Sequence, residues 1–145
     1  MSNFMMIKMI IVGVILIVEG ITDIKKHEIY INVLLIGLIV SGLVMVFEGN
    51  IQWMSIISGL TEGIVLAVMS LLTKGEIGMG DAFLCMVTGI ILGGRYNMAM
   101  FLFAGILCSI FSAFLLMIKK VGKKTKIPFV PFLIPGYLLM NAMRL

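Results

Sequence analysis

The stretch Gly75-Glu76-Ile77-Gly78-Met79-Gly80-Asp81 ends in a carboxylate at the point where an apolar run begins. We predict that Asp81 caps the N-terminus of a helix there, because aspartate is a favoured residue at helix starts. Gly78 and Gly80 permit positive φ and let another backbone come close. We therefore expect the chemistry of this chain at this loop, provided that a second polar group lies beside Asp81.

The composition indicates an integral membrane protein. Of the 145 residues, 61% are hydrophobic, and the mean hydropathy of +1.21 exceeds what a soluble core requires. We interpret the net charge of +4 as a determinant of topology and not of nucleic-acid binding, because no extended basic surface with interleaved aromatic residues occurs. Cys85 and Cys108 lie in apolar runs without CxxC spacing, so we expect neither a zinc site nor a disulfide.

Six apolar segments predict an all-α, polytopic protein with six transmembrane helices, in a single membrane-embedded domain of residues 1–145. A full crossing takes about 20 residues, so we expect the first, fourth and sixth helices to be short. We expect the first to be a retained helix and not a signal peptide, because no small-x-small cleavage site follows it. The segments cover residues 4–20, 29–47, 51–72, 82–92, 98–118 and 128–143.

The distribution of basic residues predicts the orientation. Alternate connections lie on the same side of the membrane, and one side carries only Arg95 and Arg144, with Lys8 near the N-terminus. The positive-inside rule places the lysine-rich side in the cytoplasm and both termini outside. Asp23 and Asp81 then lie at the same cytoplasmic face. The lysines of that side are Lys25, Lys26, Lys74, Lys119, Lys120, Lys123, Lys124 and Lys126.

Asp23 and Asp81 form a candidate catalytic pair. We expect Asp23 to follow the first helix and Asp81 to open the fourth, both partly dehydrated yet reachable by water. Two carboxylates that approach closely share one proton, so that an acid and a base are present together. One would activate water while the other protonates a carbonyl, and we assign neither role to either residue. Taken singly, each has a structural explanation, Asp81 as a helix cap and Asp23 as a juxtamembrane polar residue.

Three stretches together resemble the GxGD aspartic membrane peptidases, specifically the type IV prepilin peptidases and their preflagellin relatives. The first is Asp23-Ile24-Lys25-Lys26-His27-Glu28-Ile29, and the second is the glycine-rich stretch that ends at Asp81. The third is Ile127-Pro128-Phe129-Val130-Pro131-Phe132-Leu133. Their order over six predicted helices makes the match specific, whereas a lone GxGD would be weak evidence.

The resemblance implies a reaction and its residues. It implies hydrolysis, at the cytoplasmic face of a prokaryotic plasma membrane, of the bond that joins a short basic leader to the apolar helix of a prepilin-like protein. Asp23 and Asp81 would be catalytic, and the Gly78 and Gly80 loop would suit the small residue before the scissile bond. We expect neither a metal nor an organic cofactor. No methyltransferase insertion or cysteine tetrad occurs, so we expect a peptidase without N-methylation activity.

Departures from the family pattern concern charge. Many relatives carry a lysine two positions after the second aspartate, where this chain has Phe83. Lys74 or the pair Lys25 and Lys26 would then compensate Asp81. The lysines of residues 119–126 are expected to set topology and to contact anionic membrane lipids. The substrate's identity and the oligomeric state stay undetermined.

Three further polar residues are possible modulators of the site. Glu62, inside the third helix, is either hydrogen-bonded within the bundle, part of a groove, or a proton site. Glu19, one turn before Asp23, either raises the pKa of that aspartate or reaches the interface, and we favour the interface. His27 either passes protons or is a solvated loop residue. Gly59 and Gly63 form a small-xxx-small pair that predicts close helix packing.

Two rival functions belong to other classes. In a small proton-coupled or ion transporter, Glu62, Glu19 and the aspartates would carry protons or cations. In a membrane assembly subunit, the same residues would be structural. A transporter concentrates its carboxylates near the midplane, where only Glu62 qualifies, so the glycine loops at the membrane edge favour the enzyme.

Overall fold

The computed structural model describes residues 3–26, 29–49, 53–73, 78–118 and 128–143. All regular secondary structure in these ranges is helical, which confirms the predicted all-α class. In chain order the helices are α1 (Asn3–Lys26), α2 (Ile31–Glu48), α3 (Trp53–Leu72), α4 (Met79–Leu92), α5 (Gly94–Met117) and α6 (Val130–Ala142).

Four of these helices, α1, α2, α3 and α5, are long and apolar enough to cross a membrane. The apolar helices α4 and α6 have 14 and 13 residues, which confirms that the fourth and sixth are short. The prediction that the first is short was wrong, since α1 has 24 residues. No glycine or proline interrupts residues 21–26, and Lys25 and Lys26 in the last turn suit the negative end of the helix dipole.

Helix α4 lies at the centre of the bundle, where it packs against α1, α2, α3 and α5, while α6 packs against α1 and α5. More than half of the side chains of α4 are withdrawn from the surface. This central position brings the first turn of α4, which carries Asp81, close to the ends of its neighbours. The buried residues of α4 are Ala82, Leu84, Cys85, Val87, Thr88, Gly89, Ile91 and Leu92.

Glycines allow α3 to approach the backbone of α4. A Cβ atom on Gly59 would overlap the backbone nitrogen of Ile90, and one on Gly63 would lie 2.9 Å from the Cα of Met86. The close packing predicted from the small-xxx-small pair is therefore confirmed. In this contact α3 packs directly on the backbone of α4. Backbone atoms cannot rotate away as side chains can, so the distance between the two helices is closely fixed.

The start of α6 has a proline in its first turn and two phenylalanines that contact α5. Pro131 lies in its first turn, where the missing N–H costs no helical hydrogen bond. The Phe129 ring lies 6.0 Å from that of Phe101, and the Phe132 ring 5.4 Å from that of Phe111. Both contacts pack the start of α6 against α5.

A partly buried ion pair joins the start of α1 to the end of α2. The Nζ of Lys8 donates to Oε2 of Glu48 at 2.7 Å, and the lysine is 2% exposed. Lys8 thus lies inside the bundle near the start of α1, at the opposite end of that helix from Asp23. Breaking such a pair by removing one partner leaves a buried charge uncompensated.

Candidate active site

Asp23 lies in the last turn of α1, so the prediction that it follows the first helix was wrong. Its side chain is buried, with 8% exposed. Its Oδ2 accepts a hydrogen bond of 3.0 Å from the backbone N–H of Val130. Val130 is the first residue of α6, and the first N–H groups of a helix have no partner within it. This hydrogen bond therefore orients the Asp23 carboxylate and joins the end of α1 to the start of α6.

Asp81 lies in the first turn of α4, but the prediction that it caps the helix was wrong. Gly78 occupies the capping position with an extended backbone, φ −63° and ψ 129°, and its carbonyl accepts the N–H of Asp81 at 3.1 Å. The helix therefore begins at Met79. A carboxylate in the first turn still faces the unpaired N–H groups and the positive end of the helix dipole.

The two aspartates, remote in sequence, interact electrostatically. Asp81 precedes the apolar segment 82–92, and burial raises its pKa from the ordinary 3.8 to about 7, with a further rise caused by the negative charge of Asp23. Near neutral pH, Asp81 therefore exists in both protonated and ionised forms. Such a pair offers an acid and a base in the same site.

Two glycines precede Asp81 at the start of α4, and each makes a different close contact. A Cβ atom on Gly78 would lie 2.9 Å from Oδ2 of Asp81, and one on Gly80 would lie 3.0–3.2 Å from three side-chain atoms of Ile29. A side chain at Gly78 would crowd the carboxylate, whereas one at Gly80 would push away the segment between α1 and α2. Ile29 and Gly80 belong to the first and second motifs, so these motifs meet in space at this contact.

Glu19 does not reach the membrane interface as favoured from the sequence. Its side chain is 0% exposed, because it lies on the face of α1 that also carries Asp23, one helical turn away. Its Oε2 accepts the backbone N–H of Tyr30 at 3.0 Å and the hydroxyl of Thr22 at 3.3 Å. These local donors make burial possible where the sequence showed only a carboxylate near the end of an apolar run.

Of the three lysines predicted to compensate the charge of Asp81, the structure describes Lys25 and Lys26. Lys25 is exposed, and Lys26 donates to the hydroxyl of Tyr30 at 2.7 Å, with its Nζ 5.4 Å from the centre of that ring. Lys74 and His27 lie outside the described residues. Charge compensation of Asp81 by lysine stays a prediction.

Glu62 belongs to a separate polar cluster between α3, α4 and α5. Its Oε2 accepts from the Asn97 amide at 2.6 Å, and the Asn97 carbonyl oxygen accepts from the Thr88 hydroxyl at 2.6 Å. The same amide lies 3.1 Å from the backbone oxygen of Cys85 and 3.3 Å from its sulfur. The hydrogen-bonded interpretation of Glu62 agrees with this geometry. Asn97 was missed by the sequence analysis, although a lone asparagine in an apolar helix is a signal of such bonding.

Two other residues of the site were missed. Val130 contributes only its backbone N–H, which no side-chain pattern can indicate. Cys108 of α5 lies within electrostatic range of Asp81, so α5 also borders the site. Both cysteines are free thiols. Among the described residues, no three His, Cys, Asp or Glu side chains cluster as a metal site would require.

The apolar helices, the buried Asp23 and the partly buried Asp81 define a polytopic membrane protein with an acidic site. The chain belongs to the type IV leader peptidase family, whose sequence model matches residues 10–113, a range that includes Asp23 and Asp81. The resemblance found from the three motifs is thereby confirmed.

The chain is also similar to the prepilin leader peptidase/N-methyltransferase of Bacillus subtilis (strain 168). The two are 27% identical over 126 residues, which cover 86% of this chain and 51% of that protein. The chain therefore spans about half the length of this curated relative. No solved structure matches the chain.

Proposed function

We propose that this protein is an aspartic endopeptidase that removes the short basic leader of prepilin-like proteins. The observation that carries the proposal is the pairing of Asp23 and Asp81 across α1 and α4, in a chain of the type IV leader peptidase family. Each aspartate alone has an ordinary structural explanation. Their mutual charge interaction inside a largely apolar bundle is what a shared-proton mechanism requires.

The surroundings of the two aspartates support Asp81 as the acid and Asp23 as the base. Burial favours the neutral form of Asp81, so Asp81 donates its proton to the carbonyl oxygen of the scissile peptide bond. Val130 holds Oδ2 of Asp23, which leaves Oδ1 to accept a proton as water attacks the carbonyl carbon. The tetrahedral intermediate then collapses: the proton on Asp23 passes to the leaving amine, the C–N bond breaks, and one hydroxyl of the intermediate returns a proton to Asp81 as the new carboxyl group forms.

The proposal includes a topology and a substrate class. Six membrane-embedded helices with both termini outside would put the ends of α1 and the starts of α4 and α6 at the cytoplasmic face, as the lysine distribution favours. The Gly78 and Gly80 loop, which carries no side chain at either glycine, would suit a small residue before the scissile bond. Glu28 and Glu76, which lie outside the described residues, would attract the basic leader by their charge. Residues 1–145 would form one peptidase domain.

Leader release from sealed vesicles tests the reaction and its side together. A synthetic peptide with a basic leader, a glycine before the scissile bond and the first part of an apolar helix is added outside the vesicles. We expect mass spectrometry to find the released leader with inside-out vesicles and not with right-side-out vesicles. Cleavage by right-side-out vesicles alone would contradict the topology, and no cleavage in vesicles or in detergent would contradict the peptidase function.

The transporter alternative is not favoured by the family membership. It predicts that purified protein in liposomes dissipates a proton gradient in a manner that depends on Glu62. The proposal covers leader cleavage only and predicts no methyl transfer to the cleaved product by this chain. Incubation with a labelled methyl donor checks that point.

The pKa of Asp81 predicts the pH dependence of cleavage. Burial and the charge of Asp23 raise this pKa to about 7, so Asp81 is protonated below that pH and ionised above it. If protonated Asp81 is the acid, kcat/KM falls as pH rises above 7 and approaches roughly a tenfold loss per pH unit. Initial rates between pH 5.5 and 9 check this, and the Glu62→Gln variant should show the same curve. A rate that stays constant up to pH 9 would rule out Asp81 as the acid.

A further inference from the structure

Glu19 is a fully buried carboxylate that the proposed mechanism does not use. Its Oε2 accepts hydrogen bonds from Tyr30 and Thr22. Its Oε1 has no hydrogen-bond partner among the described residues. An acidic side chain is costly to bury, and it is retained inside a bundle only where it serves a specific contact.

The bond from Glu19 reaches the segment between α1 and α2. Tyr30 directly precedes α2, where its own carbonyl accepts the N–H of Val33 at 2.9 Å. Its backbone N–H lies outside the helical pattern and is bonded to Glu19 at 3.0 Å. The backbone of Tyr30 is therefore fixed on both sides, by the start of α2 and by a side chain from α1.

Ile29, which precedes Tyr30, links the fixed Tyr30 backbone to α4. Ile29 is bonded covalently to Tyr30, and its side chain packs over Gly80, where a Cβ atom would lie 3.0 Å from Cδ1 and 3.1 Å from Cβ of the isoleucine. Gly80 precedes Asp81 in the first turn of α4. A shift of the Tyr30 backbone would therefore move the surface against which the Asp81 turn rests.

We propose that Glu19 is a positioning residue that holds the Tyr30 backbone, keeps Ile29 against Gly80, and so sets Asp81 in place beside Asp23. This inference rests on the proposed function. In this proposal Glu19 acts as a hydrogen-bond acceptor, and its negative charge is not required. A purely electrostatic effect on Asp23, the other possible role, depends on the charge and not on the Tyr30 bond.

Two substitutions separate the acceptor from the charge. Glu19→Gln removes the charge but keeps a carbonyl oxygen that can accept the Tyr30 N–H, whereas Glu19→Met removes the acceptor at a similar length. We expect Glu19→Gln to keep kcat within about threefold, and Glu19→Met to lower kcat by about 10–100-fold with little change in KM, because small misplacements of catalytic groups cost that much. Equal losses in both variants would overturn the proposal.

Tyr30 supplies a second test from the other side of the bond. The φ of −83° at Tyr30 is close to that of proline, so Tyr30→Pro removes the N–H donor with little backbone strain. Tyr30→Ala is the matched control, because it removes the side chain and keeps the donor. We expect Tyr30→Pro to lower kcat in the wild-type background and to cause no further loss in the Glu19→Met background. Losses that multiply would overturn the proposal.

A measurement that does not depend on cleavage separates this inference from the proposed function. With Cys85→Ala and Cys108→Ala as background, cysteines introduced by Ile29→Cys and Gly80→Cys should form a disulfide after a small outward shift, since their Cβ positions lie 3.1 Å apart and a disulfide spans about 3.5–4.5 Å. Adding Glu19→Met should slow this cross-linking by about tenfold, while Glu19→Gln leaves it unchanged. Equal rates in all three backgrounds would show that Glu19 does not position this contact, whether or not the protein cleaves prepilins.

Discussion

Asp23→Asn and Asp81→Asn are each expected to lower the kcat of leader cleavage by about 10²–10⁴-fold, the range that general acid–base catalysis contributes. Asparagine has nearly the shape of aspartate, and its carbonyl oxygen can still accept the N–H of Val130. The substituted proteins should therefore fold and bind substrate, with KM little changed. Single-turnover cleavage in detergent or vesicles measures the loss.

The double variant sharpens the prediction. Because the two aspartates act as one unit, removal of both should cost about as much as removal of either, and not the product of the two losses. Glu62→Gln is the matched control, since it neutralises a partly buried carboxylate in the separate cluster with Asn97 and keeps an acceptor for the Asn97 amide. It should retain activity within about twofold. Cleavage that persists in both single aspartate variants would contradict the mechanism.

Gly59→Ala is expected to lower the free energy of unfolding by about 1–3 kcal/mol, as overpacking of a close contact does. The new methyl group would overlap the backbone of Gly89 and Ile90 in α4. Backbone atoms cannot rotate away as a side chain would, so α3 and α4 must separate. Since α4 carries Asp81, cleavage should fall together with stability.

Gly105→Ala is the control for Gly59→Ala, and it is not expected to lower the free energy of unfolding. Gly105 lies inside α5, and a Cβ atom there meets nothing within 4 Å. Alanine is a better helix former than glycine by about 0.8–1 kcal/mol, so Gly105→Ala should be neutral or stabilising. Thermal unfolding in detergent, followed by circular dichroism, compares the two variants. If Gly59→Ala is as stable as Gly105→Ala, helix propensity dominates and the α3–α4 contact is looser than described.

Much of the fold was predictable because membrane helices are encoded locally. Apolar length and glycine spacing indicated six helices, the short α4 and close packing at Gly59 and Gly63, whose partner helix only the structure identified as α4. The ends of helices were less accurate. The polar residues within 21–26 suggested an early end to α1, but no glycine or proline interrupts this range, and the helix includes Asp23.

Errors at the site came from contacts that only folding creates. Glu19 was expected at the interface because its sequence context did not indicate the Tyr30 N–H that satisfies it in the interior. Asp81 was expected to be the cap because aspartate favours that position. In the structure the extended backbone of Gly78 takes the cap, and Asp81 lies within the first turn.

The sequence by itself determined that this is an all-α membrane protein, identified its family from three motifs, and named Asp23 and Asp81. Composition, periodicity and short motifs are properties of neighbouring residues, so they survive without a fold. Only the tertiary structure decided that Val130 orients Asp23, that Glu19 holds Tyr30, and that Ile29 rests on Gly80. In each contact a side chain of one residue meets the backbone of another, and because every residue has a backbone, the sequence does not indicate which one is met.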